Sequence, residues 1–213
     1  MPIKVVFLDC DGTLTQITSS WEYLHRRLNL WTANADVYQA LFREGKIDYY
    51  EFCRRDALLW RGLPVSRINE IVNEIPYRAG VVEAVALLKR LGVFTVIISS
   101  GLSFLVNRVR EDLSIDMAIS NELTSQAGLL TGDVQINVEY NQKDRIVRNI
   151  LRGIGVRKEE SSAVGDGDGD RGMFDEVGTP ISLCPCGESC FCHKGTARAK
   201  MFIEAVEIIR RSC

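Results

Sequence analysis

The stretch that most constrains this chain is Val5-Val6-Phe7-Leu8-Asp9-Cys10-Asp11-Gly12-Thr13-Leu14-Thr15. A run of β-branched and aromatic residues stops at two aspartates one residue apart. Such a run predicts a strand buried on both faces, as in a parallel sheet. Asp11-Gly12 predicts the turn at its end. In open α/β sheets ligands bind outside the carboxyl ends of the strands, so Asp9 and Asp11 are expected at the mouth of a site. Two carboxylates this close repel unless a cation neutralises them or one holds a proton. An all-oxygen donor pair suits a hard ion such as Mg²⁺. Taken alone, Asp-x-Asp-Gly also describes an ordinary surface loop, so the rest of the chain decides.

Two further apolar runs end in the same way. Val93 to Ile98 stops at Ser99-Ser100-Gly101, and Ser162-Ala163-Val164 stops at Gly165-Asp166-Gly167-Asp168-Gly169-Asp170. In one parallel sheet the three ends share an edge, which gathers Asp9, Asp11, Ser99 and Asp166 into one pocket. Helices are predicted over 81–91, 102–113, 143–154 and 196–211. Short strands are predicted over 117–119 and 180–183, with a hairpin over 122–138 punctuated by Gly128 and Gly132. Residues 16–75 read as a helical insert without a convincing strand. Ser19 and Glu22 suit a capping box at its start, and Trp21, Leu24, Leu28 and Trp31 follow at helical spacing. Further helices are predicted over 36–44, 48–60 and 65–75. The expected architecture is α/β: a Rossmann-like parallel sheet flanked by helices, with an inserted small helical domain and a β-hairpin. Residues 1–15 and 76–213 form the core and 16–75 the insert.

Charge and hydropathy remove several classes. With 26 basic and 28 acidic residues the net charge is -2, without the basic footprint of a nucleic-acid binder. No run approaches the ~20 apolar residues that span a bilayer, and the start lacks the pattern of a signal peptide. A cytoplasmic protein that engages no nucleic acid and no membrane is expected; the sequence leaves its oligomeric state open.

The gathered residues can transfer a phosphoryl group. A carboxylate such as Asp9 can attack phosphorus and form an aspartyl-phosphate, with Mg²⁺ compensating the charge. Asp11 can protonate the leaving oxygen and later activate water. Ser99, Ser100 and Gly101 ahead of a helix would seat a phosphate on hydroxyls and free amides, although a serine there is also a common N-cap. Lys143 opens a helix, where its charge opposes the dipole; holding an anion would justify it, and a solvated surface lysine is the plainer alternative. Asp166, Asp168 and Asp170 fit the first, third and fifth positions of an EF-hand loop. Arg171 stands where that loop needs glycine and Val177 where it needs glutamate, which argues against calcium.

Taken together, the first motif, Ser99, Lys143 and Gly165-Asp166-Gly167 with Asp170 resemble the four motifs of the haloacid dehalogenase superfamily, in its order and across the whole core. Within it the chain is similar to the phosphoserine-phosphatase-like subgroup, through Glu44-Gly45-Lys46-Ile47, Gly128 to Val134 and Val164 to Phe174. The resemblance implies that the insert is a C1-type helical cap. It implies that Asp9 is nucleophile and Mg²⁺ ligand, and that Asp11 is general acid/base with its carbonyl on the metal. Ser99 and Lys143 would hold the phosphoryl group, with Asp166 completing the metal site and Asp170 at or near it. Tyr49, Arg54 and Arg55 are candidate cap contacts to a small phosphate ester. Thr18 and Asp56 stand where phosphoserine phosphatases carry a glutamate and an arginine facing the substrate. Losing a bidentate arginine is not conservative, so little phosphoserine turnover is expected. Phosphoserine phosphatase proper, a phosphotransferase, and a regulatory or binding module on the same fold are the alternatives.

Cys184, Cys186, Cys190, Cys192 and His193 crowd into ten residues. The set suits structural Zn²⁺, but the spacing is not a Cys-x₂-Cys knuckle, and disulfides or free thiols are equally compatible. Cys10 reads as a small filler and Cys53 as core of the insert.

Overall fold

Val5–Leu8 does form a strand, β1, and all four of its residues are fully buried. The computed structural model describes residues 2–30, 33–183 and 196–211. β1 lies at the centre of a seven-stranded sheet. On one side it pairs in parallel with β2 (Phe94–Leu102), and on the other with β5 (Ser161–Gly165). β3 (Met117–Gln126) and β6 (Thr179–Leu183) continue the parallel sheet outward, and β7 (Ala197–Ala199) adds to β6. β4 (Leu129–Gln135) closes the other edge antiparallel to β3.

Alternation along β1 divides the interior. Val6 and Leu8 belong to a larger cluster with Val85, Leu88, Val106 and Val206. Those residues come from α5 (Val81–Arg90), α6 (Ser103–Asp112) and α9 (Phe202–Arg210). Val5 and Phe7 point to the opposite face, with Val147 and Leu151 of α7 (Lys143–Ile154) and Met173 and Phe174 of α8 (Arg171–Asp175). Helices on both faces are what a strand without a polar side requires.

Between β1 and α5 lie four helices: α1 (Ser20–Arg27), α2 (Ala33–Arg43), α3 (Tyr49–Leu58) and α4 (Val65–Asn73). Ser19 caps α1 by accepting from the Glu22 amide at 3.2 Å, and Asp48 caps α3 through Glu51 at 2.7 Å. The chain enters and leaves this segment side by side: Gln16 N donates to Pro76 O and Arg78 N to Leu14 O, both at 3.0 Å. Trp60 is fully buried, stacked 5.4 Å from Trp21. The β3–β4 turn supports the segment from outside. Ala127 and Gly128 both take positive φ, as a two-residue type I′ turn demands. The Gly128 carbonyl then accepts from Val65 N at 2.9 Å.

Two expectations are corrected. β2 does not stop at Ser99 but runs to Leu102, so Ser99-Ser100-Gly101 is the extended end of a strand and α6 begins only at Ser103. The chain after residue 196 is not one helix: Ala197–Ala199 adds a strand to the sheet before α9. Edge pairing overrides local helical propensity there. Trp31 and the Cys184–His193 group lie outside the described residues. Cys10 and Cys53 are buried free thiols.

Glu160 fastens the amino end of the central strands. Its carboxylate accepts from Arg157 Nε at 3.0 Å and lies 2.8 Å from Lys4 Nζ. Those bonds, Arg157 first, hold its pKa down at about 2 against an ordinary 4.5. A depressed carboxyl contributes stability in full above its unfolded value and loses it as pH falls through the folded value. Glu160→Gln is therefore expected to lower Tm at pH 7, with the gap to wild type closing as pH drops from 4.5 towards 2. Thermal unfolding of both proteins across that range measures it.

Candidate active site

The register that aligns Leu8 with Ile97 and Val164 brings three strand ends to one edge. Asp9 follows directly, its amide donating to Val164 O at 3.0 Å. Lys143, the first residue of α7, is 2% exposed and reaches this edge. Its ammonium donates to Asp9 Oδ1 at 2.6 Å and to Asp170 Oδ1 at 2.7 Å. The lysine at the unfavourable end of the helix dipole is thus held by two carboxylates rather than by solvent.

Asp9, Asp166 and Asp170 can each offer an oxygen within 4.8 Å of the others. Three hard oxygen donors at this spacing fit a cation of the Mg²⁺ class. Thr13 Oγ1 orients one of them, donating to Asp166 Oδ1 at 2.9 Å. Asp170 is the most heavily bonded: besides Lys143, its Oδ2 accepts from the amides of Asp166 and Gly167 at 3.0 and 3.2 Å. Asp11 stands apart from the three. Its Oδ2 accepts from the Ser20 amide at the start of α1 at 2.6 Å. Its buried Oδ1 makes no hydrogen bond among the described residues.

Close approach here depends on glycine. A Cβ on Gly12, whose φ is +78°, would sit 2.3 Å from Asp166 Oδ2. A Cβ on Gly165 would meet Asp170 Oδ2 at 2.2 Å.

Burial sets the electrostatics. It pushes Asp9 well above the ordinary carboxylate value, against Lys143 and with the repulsion of Asp170 and Asp166. Asp166 rises to about 6 through burial and then the Asp170 charge. Asp11 is raised by burial against the bonds from Ser20. For Lys143, burial opposes the charge, but Asp170 and Asp9 outweigh it and raise the pKa. One lysine does not satisfy two buried acids and the half-buried Asp166 beside them, which is the electrostatic condition a divalent cation relieves.

These groups line a cavity of about 370 Å³. Ser99, Ser100 and Gly101 line it as expected, with the Gly101 amide donating to Ser99 Oγ at 3.0 Å. The far wall comes from α1, α2 and α3. Tyr49 lines it, and its hydroxyl donates to Ser100 O at 3.1 Å. Arg54 and Arg55 do not line it: Arg55 Nε donates to Glu51 at 2.7 Å, and Arg54 lies 4.0 Å from the same carboxylate. Thr18, Glu22, Arg43 and Asp56 line it instead. Of these, Glu22 carried only the signal of a capping box, and Arg43 carried no sequence signal beyond helical position. Thr13 and Asp168 sat inside motifs already singled out.

Three comparisons relate the chain to known proteins. Residues 6–175 match the family model of haloacid dehalogenase-like hydrolases. The phosphoserine phosphatase of Methanocaldococcus jannaschii is 33% identical over 142 residues, 66% of this chain and 67% of that protein. The phosphoserine phosphatase of Archaeoglobus fulgidus is 35% identical over 84% of this chain, which spans only 52% of that protein's length. A solved phospho-aspartyl intermediate analogue of phosphoserine phosphatase superimposes with a TM-score of 0.74 at 29% identity, covering 86% of this chain and 88% of its own. The phosphoserine phosphatase homologues and the hydrolase family model mark the chain as a hydrolase of phosphoric monoesters. The chain belongs to the haloacid dehalogenase-like hydrolase family, in its phosphoserine-phosphatase-like branch.

Gly12→Ala is expected to displace Asp166 and weaken Mg²⁺ binding by about tenfold or more, the usual scale for disturbing a ligand's support. Calorimetric titration with Mg²⁺, alongside circular dichroism to verify folding, measures it.

Proposed function

We propose that this protein is a Mg²⁺-dependent phosphatase of a small phosphorylated metabolite, with Asp9 as nucleophile. The observation that carries the reading is Asp9 at the end of the central strand, 2.6 Å from a buried lysine and grouped with two further carboxylates. Asp9, Asp166 and Asp170 would hold the cation, Asp170 more as an anchor of Lys143 and of the loop amides than as a free donor. When bound, Mg²⁺ supplies charge compensation for a phosphate dianion beside a carboxylate.

The remaining chemistry belongs to the chain. An Asp9 carboxylate oxygen attacks phosphorus, and the ester P–O bond breaks. Asp11 gives its proton to the departing alkoxide; a carboxyl whose pKa is raised by burial suits that task. Asp11, now ionised, takes a proton from water as the water oxygen attacks the phosphorus. The bond to Asp9 breaks, and inorganic phosphate leaves with both carboxyl groups restored. Lys143 keeps a positive charge beside Asp9 throughout, and the Ser99 hydroxyl and nearby amides would hold phosphoryl oxygens. We read residues 16–75 as a cap that excludes water from the reacting centre and supplies substrate contacts. The cytoplasm is the setting assigned to this chemistry, in keeping with the free thiols of Cys10 and Cys53.

Phosphate release from p-nitrophenyl phosphate tests the reading. Wild type is expected to turn over with Mg²⁺ and to stop with a chelator. Asp9→Asn is expected to lose about a thousandfold or more in kcat, as removal of a nucleophile does. Turnover that survives either change contradicts the assignment.

A further inference from the structure

Beyond the phosphoryl-transfer groups, the cavity is lined by a buried carboxylate that this chemistry does not use. Asp56, on α3, is 6% exposed and lines the cavity. Its Oδ1 lies 3.3 Å from His25 Nε2 but makes no hydrogen bond among the described residues. A carboxylate offers about four lone-pair sites, so this acid has unused accepting capacity inside a pocket. The surrounding wall is aromatic: Trp21, Phe42, Tyr49 and Phe52 all line the same cavity. The other charged groups of that wall are the partly exposed Glu22 and the exposed Arg43. The insert's face of the pocket is therefore net acidic, with its buried charge on Asp56.

Resting on the phosphatase reading, we propose that the substrate is a phosphorylated amino alcohol, whose ammonium group is received by Asp56 within the aromatic wall. An ammonium carries donors and the opposite charge to a carboxylate, and aromatic faces attract cations. A leaving group with its own carboxylate would meet a buried like charge, which interaction at low dielectric penalises. A neutral polyol would bring the acid no opposite charge.

The test compares kcat/KM for ethanolamine phosphate, choline phosphate, glycerol phosphate and phosphoserine, with p-nitrophenyl phosphate as a generic ester. Wild type is expected to favour ethanolamine phosphate over glycerol phosphate by about 10- to 100-fold, expressed mainly in KM, with phosphoserine below it and choline phosphate, whose cation has no N–H to donate, favoured less. In Asp56→Asn the amine-to-glycerol ratio is expected to fall towards one. The ratio is taken within each variant, so a partly folded population scales both rates alike and leaves it unchanged. Thermal stabilisation of Asp9→Asn by ethanolamine phosphate, greater than by glycerol phosphate at equal concentration, gives a readout independent of turnover. If p-nitrophenyl phosphate is hydrolysed but wild type shows no amine preference, or Asp56→Asn keeps it, the amine site is overturned and the phosphatase reading stands. If no ester is hydrolysed, p-nitrophenyl phosphate included, both fall together.

Discussion

Everything at this site depends on Lys143 bridging Asp9 and Asp170. The ammonium lies 2.6 and 2.7 Å from the two carboxylates and is almost wholly buried. Burying ions is costly unless they are paired and hydrogen-bonded, and this fold meets that condition from two directions. β1 delivers Asp9 at its carboxyl end, while α7 delivers the lysine from its first residue. Asp170 closes the triangle and, through its second oxygen, ties down the Asp166 and Gly167 amides. Remove the lysine, and the buried Asp9 and Asp170, with the half-buried Asp166 beside them, lose the cation they are hydrogen-bonded to.

One carbonyl gathers several of the bonds that join the helical segment to this centre. Ser100 O accepts from Trp21 Nε1 at 3.2 Å, Tyr49 OH at 3.1 Å and Asn121 Nδ2 at 3.0 Å. The donors come from α1, α3 and β3, so two helices of the insert and one strand of the sheet share one acceptor. Asn121 is itself fixed, its Oδ1 accepting from the Asn137 and Val138 amides at 2.9 Å. Burial pushes the Tyr49 phenol well above its ordinary value, which keeps it a donor. The strand end that carries Ser99 is thus held in part by Trp21 and Tyr49, which also line the cavity. The placement of Ser99 and the shape of the insert's side of the cavity are physically linked.

Much of this was legible in the sequence because it rests on local rules. The double-faced burial of β1 follows from an unbroken apolar run, the α1 start from Ser19 and the hairpin turn from Gly128. The meeting of Asp9, Ser99 and Asp166 follows from parallel strands ending in polar residues. Two of the misses have their cause in long-range packing and a third in a local ion pair. Ser99 to Gly101 continue β2 because β3 offers Asn121 as a pairing partner for Leu102, and no neighbour of Ser99 in sequence announces that. Ala197–Ala199 became a strand because the edge of β6 was open to it. Arg54 and Arg55 turned away from the cavity because Glu51, one helical turn earlier, collects them, whereas the adjacent Asp56 falls on the face towards His25.

The account's central claim is that the phosphoryl group passes through a covalent bond to Asp9. Acid-quenching the enzyme during turnover, followed by peptide mass analysis, tests it most directly. One phosphoryl group on the peptide carrying Asp9, removed by hydroxylamine as an acyl phosphate and missing in Asp9→Asn, is the expected result. Steady phosphate release with no phosphorylated peptide, or with the phosphoryl group on another residue, would contradict it.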